Sequence, residues 1–590
     1  MNWTVAALAV ATIMGAAITA AADSASSPAQ KGEWSMPAAD YAGTRFSTLA
    51  QINLQTATRL RPLWTFSTGV LGGHEGQPLV VNDTMYVVTP WPNVLYAFDL
   101  KQEGYPLRWK YRPAVSPNAL GLACCDAVNR GAFFADGKVI YNLLDGHTVA
   151  VDAKTGRQLW STQIADLASG ETVTMAPFVA KDRVIVAASG GEFGIYGWVK
   201  ALDLKTGELL WTAHNMGPDR DMLIRPDSFK PSYDHGADLG VQTWAGQSWK
   251  NGGGPVWGWV SYDPELDLIF YGTGNAGPYN AEQRAGDNKW TSSVLARRPE
   301  DGTLVWAYQF TPHDSWDYDA TGAMILADLT ISGKPVKALV HFDKNGFAYT
   351  LDRATGRVLV AAPFASVNWA TSVDLATGRP VVDPSKQTGV SKGNVKGICP
   401  SLEGGVSPSS PAAYSPHTHL FYTSINNLCM DYTVSQAQYF KGTPYMSANT
   451  PYTVGPGGNR GGFIAWDAST GRRVWEDLEP YPTWSGTLAT AGDVVFYGTL
   501  DGWFKAVDAR SGKLLYKFKV GSGVVGSPIT FRGPDGKQYV TIYAGIGGDW
   551  ILLTGDMRSD DPADVRPPAD YMKDIARRTS QGGIVWIFGL

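Results

Sequence analysis

The sequence predicts an all-β repeat protein: an eight-bladed β-propeller whose blades carry a W motif and whose insertions decorate one end. Three observations predict it. Gly (66) and Trp (22) are frequent in 590 residues, and only 17% are charged, which suits many turns and large packed aromatics better than helices. One phrase, D-x-x-T-G-x-x-x-W, recurs along the chain. Short apolar runs bounded by turn residues precede the phrase, as strands do. The length exceeds what one core usually holds, but repeat units pack only on their neighbours.

The copies come in order. Trp64 ends a degenerate first copy, and residues 99–109 form a second with an insertion. Residues 152–160 (D-A-K-T-G-R-Q-L-W) and 203–211 (D-L-K-T-G-E-L-L-W) are full copies. Residues 302–306 and 352–360 are weaker, and 467–475 and 508–516 are full again, the last ending in Tyr516. Within a unit, Asp folds an Asx turn, and Gly four residues on supplies the positive φ that closes it. A second turn, Asp145-Gly146 or Asp501-Gly502, makes a hairpin with the preceding strand. Each unit is then a four-stranded meander whose terminal Trp packs on the next, with the roughly 40–50-residue period of propeller blades. The intervals between Trp211 and Trp306 and between Asp352 and Asp467 are too long for one blade and read as the insertions. The strand-like run at 583–588 is expected to pair with the first blade and close the ring.

The ends and the charge bound the setting. Val5 to Ala22 is apolar or small and ends in Ala20-Ala21-Ala22, the form of a secretory leader with an A-x-A cleavage site. A membrane anchor is the other reading, but the run is short for a span. The expected organisation is a signal peptide at 1–22 and one propeller domain at 23–590, exported to the periplasm, with no membrane span in the mature chain. The net charge of −5 offers no electrostatic case for nucleic acid. Four Cys in an exported chain fit two disulfides. Cys124 and Cys125 are adjacent; bonded they close an eight-membered ring, and two thiols are the other reading.

The densest chemistry lies in residues 311–322, T-P-H-D-S-W-D-Y-D-A-T-G. In an extended backbone Asp317 and Asp319 point the same way, and two carboxylates on one side need a cation or a proton between them. With Asp314 the stretch is a candidate hard-metal site with a carboxylate left for base chemistry. The competing reading is a loop whose Asp side chains cap turns.

Five stretches together carry a resemblance: Cys124-Cys125-Asp126 through Arg130-Gly131, Ser189-Gly190-Gly191-Glu192, Trp257-Gly258-Trp259, Gly272-Thr273-Gly274-Asn275, and Trp316-Asp317-Tyr318-Asp319. The chain resembles the pyrroloquinoline quinone (PQQ) alcohol dehydrogenases of the methanol/ethanol family from about Tyr41 to Leu590. The resemblance implies a Cys124–Cys125 disulfide on one face of the quinone and Trp257 on the other. It implies cofactor contacts from Glu75, Arg130, Thr174, Ser189, Gly190, Gly191, Lys344 and Trp484, metal ligation by Glu192, Asn275, Asp317 and Asp319, and Asp317 as catalytic base. The remaining pair is expected to be Cys399–Cys429. A third carboxylate at Asp319 resembles the lanthanide members; calcium members carry a small or uncharged residue there. All these metal donors are oxygen, which suits a hard cation.

The expected function is oxidation of a primary alcohol such as methanol or ethanol to the aldehyde with PQQ and a lanthanide ion, Ca2+ being the alternative metal. No Cys begins a C-x-x-C-H haem motif, so electrons are expected to leave to a separate c-type cytochrome. A homodimer is left open. A non-enzymatic propeller scaffold is the competing class, and it predicts neither the adjacent Cys pair nor the carboxylate cluster. Two positions depart from the family pattern: Pro255 stands where Thr is frequent, and Gly404-Gly405-Val406-Ser407-Pro408 replaces Gly-Gly-Lys-Asn-Trp, leaving Ser407 to replace the Asn contact.

Overall fold

The structure is a computed structural model that describes residues 32–548, 572 and 574–590. The expected leader and most of residues 555–578, a polar, Pro-rich and charged stretch, lie outside the described residues. Eight sheets in these residues follow one plan, four antiparallel strands in chain order. They span residues 79–111, 132–163, 178–214, 260–309, 324–363, 413–479 and 488–519, and the eighth combines 529–544 with 584–589 and 61–67. The 488–519 sheet gains a fifth strand, Phe46–Ser47, paired in parallel. The inner strands are buried throughout, for example Thr84–Val88 and Val494–Gly498, whereas outer strands such as Leu107–Tyr111 alternate with solvent. The only α-helix among the described residues is Leu239–Gln242; none there is long and apolar enough to cross a membrane.

The recurring phrase has a direct packing meaning. The indole N–H of Trp109 donates to Ala153 O (3.2 Å), that of Trp160 to Leu204 O (3.3 Å), and that of Trp475 to Ala509 O (3.0 Å). Each acceptor directly follows the turn Asp of the next copy. The turn Gly of that copy lies under the ring: a Cβ on Gly156 would come within 2.6 Å of Trp109, and one on Gly512 within 2.6 Å of Trp475. Both glycines have positive φ, 74° and 71°, so conformation and contact select the same residue.

The ring closes on the strand of the first copy, as expected, and the two strands share one sheet. The last strand, Ile584–Gly589, lies between Gln538–Ala544 and Arg61–Ser67. It does not join the 79–111 sheet. The strand bearing Trp64 is the outer strand of the final sheet, with Pro62 opposite Phe588 and Ser67 opposite Ile584. The two chain ends thus complete one sheet together, and a single core cluster joins Leu79 and Val87 to Val540 and Ile587.

A strap of residues 32–47 touches all eight sheets. Trp34 exchanges two hydrogen bonds of 2.8 Å with Val80. Ser35, Tyr41, Ala42, Thr44 and Arg45 then accept from the backbone N–H groups of Phe134, Tyr262, Leu326, Tyr414 and Ala489. The Tyr41 ring meets Phe178 at 5.8 Å, and Gly32 O accepts from Arg532 N at 2.8 Å. The long interval between Asp352 and Asp467 holds extra structure, a hairpin of Ala370–Asp374 with Arg379–Val382 and a small sheet centred on Leu428–Val434, and the interval between Trp211 and Trp306 holds the helix Leu239–Gln242.

Candidate active site

One cavity gathers most of the candidate residues. Cys124, Cys125, Arg130, Thr174, Ser189, Gly190, Glu192, Trp257, Asp317, Asp319 and Lys344 all line it. Its empty volume is ≈ 910 Å³ with the mouth included, within the roughly 300–1,000 Å³ span of small-molecule sites. Many of these side chains stand just before an inner strand begins, Arg130 before Ala132–Ala135 and Thr174 before Phe178–Ala180. Propeller topology therefore brings residues far apart in sequence to one end of the ring.

Cys124 and Cys125 are disulfide-bonded, as are Cys399 and Cys429. Across the cavity runs a polar chain. Glu75 Oε2 pairs with Arg130 Nη2 at 2.8 Å, both side chains being nearly inaccessible. Arg130 Nη1 donates to Thr174 Oγ1 (2.7 Å), whose hydroxyl lies 2.8 Å from Ser189 Oγ. The guanidinium also covers the Trp257 ring, 4.7 Å from its centroid, and donates to Trp257 O. A buried cation with two hydroxyls beside an aromatic face is a receptor for a planar anion.

The acidic end is built around Lys344. Its Nζ donates to Asp317 Oδ2 (2.9 Å) and Asp319 Oδ2 (2.8 Å). The two carboxylates share a side, as the spacing predicts, but the backbone is not extended: Asp317 has φ 69°. Asp314 behaves as a turn former, accepting from the N–H groups of Trp316 (3.0 Å) and Tyr318 (3.1 Å) on either side of Asp317. Burial pushes the Asp317 carboxyl well above its ordinary range; the Lys344 ammonium opposes this, and the charges of Asp319 and Glu192 add to it. The Lys344 ammonium is held well above its usual value: burial opposes that rise, and Asp317 and Asp319 outweigh it.

Asn275 completes the group from one side. Its backbone N–H donates to Asp319 Oδ1 at 2.6 Å. Its side-chain Oδ1 and Nδ2 are buried without a hydrogen-bond partner, and so is Asp317 Oδ1. Two glycines make this approach feasible. A Cβ on Gly274 would lie 2.5 Å from Asp319 Oδ1, and one on Gly191 2.5 Å from Asn275 Oδ1. Buried polar atoms without partners carry a desolvation cost that a ligand relieves. The donors are all oxygen, so they fit a hard cation. Among the described residues no three acidic, His or Cys side chains are already gathered into a metal cluster.

Some candidates sit elsewhere. Trp484 is fully buried and donates through Nε1 to Asn426 Oδ1 (3.1 Å), outside the cavity lining. Gly191 is also outside the lining and gives room to Asn275. Ser407 is buried with its hydroxyl 2.8 Å from Ser409 Oγ, and it does not line the cavity either. The structure adds wall residues to which the sequence alone gives no role: Asp126, Tyr279, Leu402, Glu403 and Met446. Glu403 is 3% exposed and accepts from Tyr452 OH at 3.2 Å. Its position directly before the divergent Gly404-Gly405 stretch is the signal that could have found it.

Fold and site define a class, the propeller-borne quinoprotein dehydrogenases: residues 34–368 and 479–540 match the family described as PQQ glucose/ethanol/alcohol dehydrogenase, beta-propeller domain. A lanthanide-dependent methanol dehydrogenase of Methylacidiphilum fumariolicum is 50% identical over 572 residues, 95% of this chain and 93% of that protein. Methanol dehydrogenase [cytochrome c] subunit 1 of Methylobacterium organophilum is 42% identical, covering 94% and 91%. Among solved structures, a europium-containing methanol dehydrogenase superposes with a TM-score of 0.91 at 48% identity, covering 95% of this chain and 98% of that one. The chain therefore belongs to the PQQ-dependent alcohol dehydrogenases of the methanol/ethanol dehydrogenase family.

Proposed function

We propose that this protein is a periplasmic, lanthanide-dependent quinoprotein that oxidises a small primary alcohol, methanol or ethanol in type, to its aldehyde and passes the electrons to a soluble c-type cytochrome. The observation that carries the metal assignment is the pairing of Asp317 with Asp319 beside the partnerless amide of Asn275. With Glu192 these side chains bring three negative charges and one neutral oxygen. The carboxylates alone match a trivalent ion; the Lys344 ammonium offsets one of them, so the preference for a lanthanide rests on the third carboxylate as an added anionic donor, whose attraction grows with the charge of the ion. The names of the relatives, lanthanide-dependent and europium-containing, support the same choice, and a relative named for cytochrome c supports the acceptor.

The family resemblance and the geometry together support these residue roles. Arg130, Thr174 and Ser189 would hold the cofactor's acidic groups, and Glu75 orients Arg130. The Cys124–Cys125 disulfide and Trp257 would bound its faces. When bound, PQQ supplies the two-electron acceptor, and a metal ion beside it supplies Lewis-acid polarisation. Asp317 would take the hydroxyl proton of the alcohol as general base. Lys344, bonded to both aspartates, orients them and lowers the cost of the charge on Asp317. The wall of Leu402, Glu403 and Met446 limits the alcohol. We read the eight four-stranded sheets as the blades of one ring formed by residues 23–590 after removal of a leader at 1–22.

The deciding experiment compares PQQ-loaded protein with lanthanum and with calcium, over an alcohol series and with a c-type cytochrome as acceptor. Lanthanum-dependent turnover is expected. Equal turnover with both ions would return the site to the calcium class.

A further inference from the structure

The run Cys124-Cys125-Asp126 contains a residue to which the reaction assigns nothing. Asp126 Oδ2 accepts from Gly73 N at 2.9 Å and from Gly548 N at 3.0 Å, and its Oδ1 accepts from Ala127 N at 2.7 Å. One carboxylate thus joins three stretches: the disulfide loop, the loop that leads into Glu75, and the residues that follow the penultimate strand. The last contact spans 422 positions.

The surroundings are shaped to that carboxylate. A Cβ on Gly547 would stand 2.4 Å from Asp126 Oδ2 and 2.1 Å from Gly73 N, and one on Gly73 would stand 2.5 Å from Gly548 N. Only backbone fits between the three stretches. Gly548 in turn packs on Glu75, where a Cβ would meet Oε1 at 2.1 Å. Asp126 itself has φ 75°, a conformation that costs most non-glycine residues energy and that Asp tolerates better than most. Two ties therefore hold the disulfide run to the Glu75 loop, Asp126 with Gly73 at one end and Arg130 with Glu75 at the other.

We propose that Asp126 is a positioning residue that fixes the Cys124–Cys125 disulfide and Glu75 in the places from which they meet the cofactor. The proposal rests on the PQQ reading only for what the disulfide and Glu75 then hold. Loss of the carboxylate leaves three closely packed N–H groups without their acceptor. The disulfide loop then separates from the Glu75 loop, and Cys124, already exposed, opens further to solvent.

The test uses the full-length chain, prepared without PQQ, as wild type, Asp126→Ala and Asp126→Asn. Two readouts are taken besides the melting temperature. One is PQQ affinity from quenching of Trp fluorescence. The other is the dithiothreitol reduction rate of Cys124–Cys125 relative to that of Cys399–Cys429 in the same molecule. For Asp126→Ala the expectation is PQQ affinity weaker by roughly tenfold or more, the scale of losses from outer-shell changes, and a several-fold faster relative reduction of Cys124–Cys125. Asp126→Asn, which keeps one strong acceptor, should fall between. An Asp126→Ala protein with wild-type melting, affinity and reduction ratio would overturn the proposal. If that variant does not fold, an unchanged reduction ratio in Asp126→Asn overturns it. A shifted ratio in a protein whose wild type binds no PQQ leaves the positioning role standing and removes the PQQ reading.

Discussion

Lys344 Nζ lies 2.8 Å from Asp319 Oδ2. The same ammonium is 2.9 Å from Asp317, so the chain carries a tethered cation at the point where its two carboxylates converge. A metal ion that binds both aspartates has to share them with this charge. Coulomb attraction scales with ionic charge, so a trivalent ion competes better than a divalent one. Asp319→Ala should therefore weaken lanthanum binding by at least the roughly 10–100-fold typical of outer-shell changes and remove most lanthanum-dependent turnover. Competition titration against a lanthanide chelator measures the first effect, and steady-state kinetics the second. Wild-type affinity in Asp319→Ala would remove Asp319 from the metal site.

The repeat grammar was legible because it is local. An Asp and a Gly four residues apart specify a turn by themselves, and the Trp that follows packs on the next such turn. The ring closure was legible: residues 583–588 read as a strand that pairs with the first copy, and its neighbour is Arg61–Ser67, which carries Trp64; that the two chain ends share a single sheet left no local signal. In the site, the Asp317–Asp319 pair could be read from spacing, although φ 69° at Asp317 means that the extended-chain argument reached the right juxtaposition by the wrong backbone. The partners of Asp126 and Glu403 were not legible. Asp126 acts on Gly73 and Gly548, and Glu403 meets Tyr452 from another strand; neither pairing leaves a periodic or spaced signal in sequence.

Gly512→Ala tests the packing of Trp on the turn. The new methyl would meet Trp475 at 2.6 Å and impose strain at φ 71°. Positive φ at a non-glycine residue costs of order 1–3 kcal/mol, and displacement of the ring adds to it. The variant should unfold at lower denaturant, by about 2–4 kcal/mol in all, with no change in KM. A loss below about 0.5 kcal/mol would show that the Trp475 contact adapts without cost.

His74 gives a pH signature. Burial lowers its pKa from 6.5 to about 4, with Gly72 O and the Asp126 charge opposing the shift. The folded state therefore prefers the neutral ring. As pH falls below 6.5 the unfolded chain gains a proton that the folded chain refuses, so stability falls until about pH 4 and the term is then constant. At about 1.36 kcal/mol per pH unit, His74 should account for roughly 2 kcal/mol of the stability lost between about pH 7.5 and 5. Urea unfolding at the two values, in wild type and His74→Gln, isolates the term. An identical pH dependence in the two proteins would mean that His74 does not titrate differently on folding.

Asp314 shows how the backbone at Asp317 is held. Its carboxylate accepts from Trp316 N at 3.0 Å and Tyr318 N at 3.1 Å, one on each side of Asp317. Its own carbonyl accepts from the buried guanidinium of Arg284, which also donates to Pro278 O (2.8 Å) and Asn288 Oδ1 (2.6 Å). The left-handed backbone at Asp317 is thus bracketed by two hydrogen bonds to one side chain that is 1% exposed. Asp314→Ala leaves both N–H groups without an acceptor and frees Asp317 to relax from φ 69°. Misplacement of a reacting group by about 1 Å can cost roughly 100-fold in rate. The expected result is a fall in kcat of about that size, with PQQ affinity reduced much less, because Arg130, Thr174 and Ser189 are untouched. Asp314→Asn keeps a carbonyl oxygen for one of the two bonds and should recover part of the rate. Single-turnover alcohol oxidation by PQQ- and lanthanum-loaded protein, beside a melting curve, makes the comparison. A folded Asp314→Ala enzyme with wild-type kcat would show that Asp317 keeps its orientation through Lys344 alone.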